Sequence, residues 1–286
     1  MKKRLPAYTA TAGLTLTALI TVGTTAAHAS SSGVNDSTCA PRAAHPYPVV
    51  FLHGLGANGS EDINEVQSAV AAKGYCTYSL TYGTGAYGPY IGGVADVTQS
   101  AGQITSFIEH VLGETHATKV DLVGHSEGGF ESLYVTKTQG IASQIDKVVA
   151  IAPPTHGTTF GGLYALAMAL GAQGLAGQTM ATFGCVACGE LVVGGSGVNT
   201  LDNGPIGQPG VSYTIITSRY DEMVTPTDTA FVNEAGVVNE YVQDTCPTDP
   251  VGHIGEAYDR NVWKMVEHAL DPVHAASFTC SAGSPG

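Results

Sequence analysis

The chain has 286 residues, 43% of them apolar, and 24 acidic residues against 11 basic ones leave a formal charge of −13. A surface that acidic argues against nucleic acid and anionic membranes as partners, and it keeps the chain dissolved. The length suits one α/β domain with a large core, while 37 glycines make any short glycine motif weak on its own.

The first residues read as a targeting segment. Lys2, Lys3 and Arg4 precede an apolar stretch over 12–23 and then Ala27-His28-Ala29. A charged start, an apolar middle and an A-x-A site predict a secretory signal peptide over 1–29, leaving 30–286 as a single extracellular domain. No cysteine follows the cut directly, which disfavours a lipoprotein anchor. The alternative, a retained membrane anchor, is weakened because the run is shorter than the ~20 residues a span requires.

Further along, 48–52 is an apolar run ending at His53-Gly54, which predicts a buried strand. Residues 61–72 carry Ile63, Val66 and Val70 at helical spacing, and 75–81 is strand-like. The stretch 101–112 sets Ile104, Phe107, Ile108, Val111 and Leu112 on one helical face, closed by Gly113. A strand over 120–124 runs into Gly124-His125-Ser126-Glu127-Gly128 and a helix from Gly129; 147–152 is a strand stopped by Pro153-Pro154. The apolar segment 163–170 predicts a core or covering helix, with a lid over an apolar site as the alternative. Strands at 211–217 and 237–242 and a helix at 261–270, with Val262, Met265, Val266 and Leu270, complete the order. Strands alternating with helices predict an α/β fold, a mostly parallel central sheet with helices on both faces.

Six cysteines in an exported chain predict three disulfides, although six cysteines allow about 15 pairings. Joining neighbours in chain order gives Cys39–Cys76, Cys185–Cys188 and Cys246–Cys280. Cys185-Val-Ala-Cys188 also has the spacing of a redox pair or half a zinc site, but no second Cys/His pair has ligand spacing to complete it.

The strand, the Gly-His-Ser-Glu-Gly turn and the following helix match a nucleophile elbow at Ser126. A Gly-x-Ser-x-Gly match arises by chance roughly 0.3 times in such a chain, so context decides. A serine nucleophile needs a base, a group orienting that base, and donors for an oxyanion. In open α/β sheets these lie beyond the carboxyl ends of strands. Asp221 sits in the loop just past strand 211–217; its neighbour Glu222 reads as a solvated charge. His253, flanked by Gly252 and two residues before Gly255, lies in a loop ahead of the final helix and is the candidate base. The order Ser126, Asp221, His253 is that of the α/β hydrolases. The backbone N–H groups of Glu127 and of Leu55, in His53-Gly54-Leu55-Gly56, are the candidate oxyanion donors. His53 and His125 read as packing and hydrogen-bonding residues.

With these motifs in order, the chain resembles the actinobacterial extracellular lipases and esterases of the lipase class 2 group, in the α/β-hydrolase superfamily, from about Tyr47 to Pro272. The resemblance rests on 48–54, 119–129, 152–158, 217–226 and the flanks of His253. It implies carboxylic ester hydrolysis by Ser126, Asp221 and His253, with Leu55 and Glu127 as oxyanion donors and with no metal or other cofactor. The family more often has a neutral residue after the nucleophile, so Glu127 departs from the pattern and its side chain is expected to point away from the site. The expected partner is an ester or lipid substrate met by a monomer, with transient contact at a lipid interface. An acyltransferase or a non-catalytic binding protein of the same fold are the rival readings.

Overall fold

The computed structural model describes residues 33–162, 181–182, 184–275 and 277–283. The expected leader over 1–29 and the apolar segment 163–170 lie outside them. Six strands form one sheet: β1 (Val49–Leu52), β2 (Thr77–Ser79), β3 (Val120–His125), β4 (Ile145–Ile151), β5 (Ser212–Thr217) and β6 (Val237–Tyr241). Their order is β2-β1-β3-β4-β5-β6, and every neighbouring pair is parallel. The register sets Leu52 beside Gly124, Gly124 beside Ala150 and Ala150 beside Ile215. The carboxyl ends of the four central strands therefore finish level, and the loops after them converge on one edge.

Alternation along β1 shows how both faces are filled. Val50 and Leu52 pack with Ile104, Ile108 and Val111 of α2 (Val97–Thr115) and with Phe130 and Leu133 of α3 (Glu127–Thr138). Val49 and Phe51 point the other way, onto Val66 and Val70 of α1 (Asn64–Ala71) and Val262, Met265 and Val266 of the closing helix, Arg260–Leu270. Successive strand side chains face opposite sides, so a sheet covered twice requires the unbroken apolar runs seen in the sequence.

Helix ends depart from the periodicity for reasons of capping. α2 begins four residues ahead of the apolar stripe because the Asp96 side chain accepts the amides of Thr98 and Gln99. It also runs through Gly113 to Thr115 and ends at His116, which takes the left-handed conformation at φ 55°. α1 starts at Asn64 instead of residue 61, since Asn58 to Ile63 form a turn with Asp62 at φ 68°. His253, expected in a loop, instead opens a one-turn helix, His253–Glu256.

The six cysteines form disulfides Cys39–Cys76, Cys185–Cys188 and Cys246–Cys280. Cys185 and Cys188 thus present no thiolates for zinc. Among the described residues, no helix is long and apolar enough to cross a membrane.

Candidate active site

Ser126 stands between β3 and α3 with φ 54° and ψ −121°, a conformation that costs an ordinary side chain roughly 1–3 kcal/mol. Its surroundings require it: the Ser126 N–H donates to the Ile151 carbonyl at 2.8 Å, so the turn is tied to the end of β4. A Cβ on Gly124 would run into the Gly128 carbonyl, and one on Gly128 into the Leu52 carbonyl. The two glycines let β3 and α3 approach closely enough to lift the serine above the sheet.

The loops beyond β5 and ahead of the closing helix bring the other two candidates to it. His253 Nε2 lies 2.8 Å from Ser126 Oγ, and His253 Nδ1 lies 2.8 Å from Asp221 Oδ2. A carboxylate only accepts, so Nδ1 carries the proton and Nε2 is left as an acceptor for the serine hydroxyl. Asp221 Oδ1 accepts the N–H groups of Met223 and Val224, both at 2.8 Å, and its side chain is fully buried. A carboxylate so fixed orients the imidazole and offsets the charge it acquires on taking a proton.

Leu55 and Glu127 meet Ser126 at the floor of a cavity of about 550 Å³. A side chain on Gly54 would come within 3.2 Å of the serine Cβ, which places this loop directly against the nucleophile. The Leu55 N–H makes no hydrogen bond among the described residues. Glu127 opens α3, where an amide has no acceptor within its own helix. Two uncommitted donors therefore line the same floor. The cavity wall above them is largely apolar, with Phe160, Leu191, Met223, Val224 and Ile254.

The Glu127 carboxyl is fully buried, packed against Gly93, and neither oxygen finds a hydrogen-bond partner among the described residues. Burial pushes it well above the usual glutamate range, and the charge of Glu190 pushes further in the same direction. Glu131, one turn on, is raised for the same reasons: burial first, then Glu127 and Glu190. That environment favours the protonated, neutral form of Glu127, closer in charge to the neutral residues more usual after a nucleophile.

Five contacts around His253 and Ser126 were not foreseen from the sequence. Glu222 is exposed, yet its Oε2 accepts the His253 N–H at 3.2 Å, so it is more than a solvated charge. His125 Nε2 donates to the His253 carbonyl at 3.0 Å, and its Nδ1 meets Asp62 Oδ1 at 2.8 Å. Asp62 Oδ2 in turn accepts the Gly54 N–H at 2.6 Å. Tyr258 Oη accepts the Asp62 N–H at 3.0 Å. Except for Asp62 and Gly54, the partners are dozens to more than a hundred residues apart. His53 packs as expected: it stacks on Tyr82 at 4.3 Å, and its Nδ1 donates to the Gly54 carbonyl at 2.8 Å. Burial drives its imidazole towards the neutral form, the Gly54 bond and Asp62 opposing.

His125, His253 and the buried Glu256 each bring one potential ligand atom within 4.8 Å of the others. The imidazole nitrogens are already committed to Asp62, the His253 carbonyl, Asp221 and Ser126, which leaves no free lone pair for a metal. Burial, and then the charge of Asp221, pushes the Glu256 carboxyl well above its usual range, so it does not compete for the base as an anion.

Comparisons with known proteins agree with this geometry. A family model described as "Lipase (class 2)" matches residues 46–254. Two relatives named "Triacylglycerol lipase", from Pseudarthrobacter phenanthrenivorans and Burkholderia plantarii, are each 31% identical over 149 residues, 49% of this chain. Those stretches cover 43% and 38% of the relatives, so the match spans less than half the length of either. Among solved structures, Aspergillus fumigatus lipase B superposes with a TM-score of 0.58 at 16% identity, over 84% of this chain and 54% of that one. The mature Bacillus licheniformis lipase BlEst2 gives 0.51 at 18%, over 72% and 88%. At such identities these neighbours speak for the fold, which is that of the α/β hydrolases.

Proposed function

The chain belongs to the lipase class 2 family, and from that premise we propose that it hydrolyses carboxylic esters, acylglycerols or other lipid esters foremost. The observation that carries this reading is the row Asp221, His253, Ser126, joined by two hydrogen bonds of 2.8 Å, with His253 and Ser126 lining a largely apolar cavity. The name "Triacylglycerol lipase" borne by both relatives supports the substrate class.

Ser126 Oγ attacks the ester carbonyl as His253 Nε2 takes its proton. Asp221 stabilises the imidazolium, and the tetrahedral oxyanion accepts from the Leu55 and Glu127 N–H groups. The imidazolium then protonates the leaving alcohol, and an acyl group remains on Ser126. A water that gives its proton to His253 attacks this acyl-enzyme and releases the acid. The acyl chain lies against Phe160, Leu191, Met223, Val224 and Ile254. The working form is the single domain over 30–286, a monomer acting outside the cell; the three disulfides support the extracellular setting.

Ser126→Ala should abolish turnover of p-nitrophenyl esters while the protein melts like the wild type, and only the wild type should be labelled by a fluorophosphonate. Substantial turnover by Ser126→Ala would overturn the assignment. A series from acetate to palmitate, beside emulsified triglyceride, measures how far into the cavity the acyl chain reaches.

A further inference from the structure

Asp62 and His125 form the contact in this site that the reaction above does not use. Asp62 holds the Gly54 N–H with one carboxylate oxygen and His125 Nδ1 with the other, at 2.6 and 2.8 Å. His125 Nε2 reaches the backbone carbonyl of His253 at 3.0 Å. Gly54 precedes the oxyanion donor Leu55, His125 precedes the nucleophile, and His253 is the base. One carboxylate and one imidazole thus connect all three moving parts of the reaction.

The protons in this chain of contacts follow from its end groups. The His253 carbonyl can only accept, so His125 Nε2 carries a hydrogen. Asp62 already accepts the Gly54 amide. Burial opposes its charge, but the His125 charge and the hydrogen bonds from His125 and Gly54 outweigh this and hold its carboxyl below the usual range. An ionised Asp62 requires a hydrogen on His125 Nδ1 as well. Burial likewise opposes a charge on His125, yet Asp62, the His253 carbonyl and the more distant Asp221 together raise it. His125 is fully buried, so no water competes for either nitrogen. The ionisable groups around it are Asp62 from the turn after β1, Asp221 from the loop after β5, and His253 and Glu256 from the last helical turn.

We propose that Asp62 and His125 act as a positioning pair: the buried His125 ring, anchored by Asp62, fixes the oxyanion loop at Gly54 and the base at the His253 carbonyl relative to Ser126. The pair hydrogen-bonds to neither Ser126 nor the His253 imidazole, and acts through Leu55 and the His253 backbone. Its contribution is alignment, and a misplacement of about 1 Å at such a site costs on the order of 100-fold in rate. With Asp221 on Nδ1 and Glu222 on the His253 N–H, His125 completes the set of bonds that hold the base from its side chain and both ends of its peptide unit.

This inference rests on the hydrolase reading, and the experiment separates the two. Asp62→Asn can keep every bond with a neutral His125, its carbonyl accepting from Gly54 and its amide donating to Nδ1. It should therefore retain kcat within about fivefold, whereas Asp62→Ala and His125→Phe should lose roughly 10–100-fold in kcat with KM changed less than about twofold. In ¹⁵N-histidine spectra of the wild type near pH 7, one histidine should show both ring nitrogens protonated, and in Asp62→Asn that signature should be lost. Wild-type kcat in Asp62→Ala, equal damage in Asp62→Asn and Asp62→Ala, or no doubly protonated histidine in the wild type would each overturn the pair. The wild-type spectrum stands even where a variant fails to fold. Absence of any ester turnover by the wild type would instead sink the hydrolase reading, leaving the spectrum to judge the pair.

Discussion

Two groups of buried carboxyls lie on either side of Ser126, and the fold treats them in opposite ways. On the base side, Asp221 and Asp62 each accept two or more hydrogen bonds and face an imidazole. On the oxyanion side, Glu127 and Glu131 are fully buried, face other acids, and have no hydrogen-bond partner among the described residues. All four carboxyls are buried, so the larger difference lies in the company each one keeps. Donors around a carboxyl favour its charged form; acids and apolar groups around it favour the protonated one. An anion beside the oxyanion would oppose the charge that develops there, whereas an anion behind the base helps it. The two arrangements serve the same reaction coordinate.

Exchanging the character of the two sides should break this contrast, most severely at the base. Asp221→Asn should lower kcat by roughly 10³–10⁴-fold with little change in melting temperature, because the amide leaves the imidazole in the wrong tautomer. Ester turnover beside calorimetry would measure both.

The oxyanion side should respond in stability instead. Glu127→Gln and Glu131→Gln should leave turnover within a few-fold and raise the melting temperature, by about 2–4 °C for each kcal/mol gained. The sign with pH follows from the raised folded-state values. Well below the ordinary glutamate value of 4.5, these groups are protonated in both states. As pH rises the unfolded chain releases protons that the folded one retains, so stability falls until the buried groups ionise. The gap between variant and wild type should therefore widen from pH 5 to pH 9 in melting curves. A gap that narrows would mean the carboxyls are ionised and paired.

Glu222→Gln should have the smallest effect, a loss of a few-fold in kcat, since an exposed carboxylate on one backbone N–H adds little. A pH–rate profile of this variant that matches the wild type would show that Glu222 holds the base in place without tuning it.

Much of this molecule was legible from local pattern. The central strands were visible as apolar runs because a sheet covered on both faces leaves little polar alternation there, while the edge strands β2 and β6 showed as aromatic and β-branched stretches. Ser126, Asp221 and His253 stood out because each follows a strand or precedes the last helix, and chain order links them. Helix ends were less legible: the carboxylate of Asp96 and the left-handed turn at His116 set the limits of α2, while Gly113 passes through it. What the sequence could not reveal was pairing at long range. Asp62 lies 63 residues from His125, and Glu222 lies 31 from His253. Nothing local marks such partners. The fate of Glu127 was equally hidden, because its proton depends on Gly93 and Glu190, which reach it only through the fold.

The Cys246–Cys280 bridge, 34 residues apart, has one more consequence. It closes a covalent ring that contains His253 and the whole closing helix, while Ser126 and Asp221 remain outside it. Ring closure removes about 3–4 kcal/mol worth of freedom from the unfolded chain, and it also alters what a protease can do. A single nick at exposed residues such as His274, beyond the helix, would open the ring without releasing a fragment. The severed tail would stay fastened at Cys246, and the base would stay with the serine it serves.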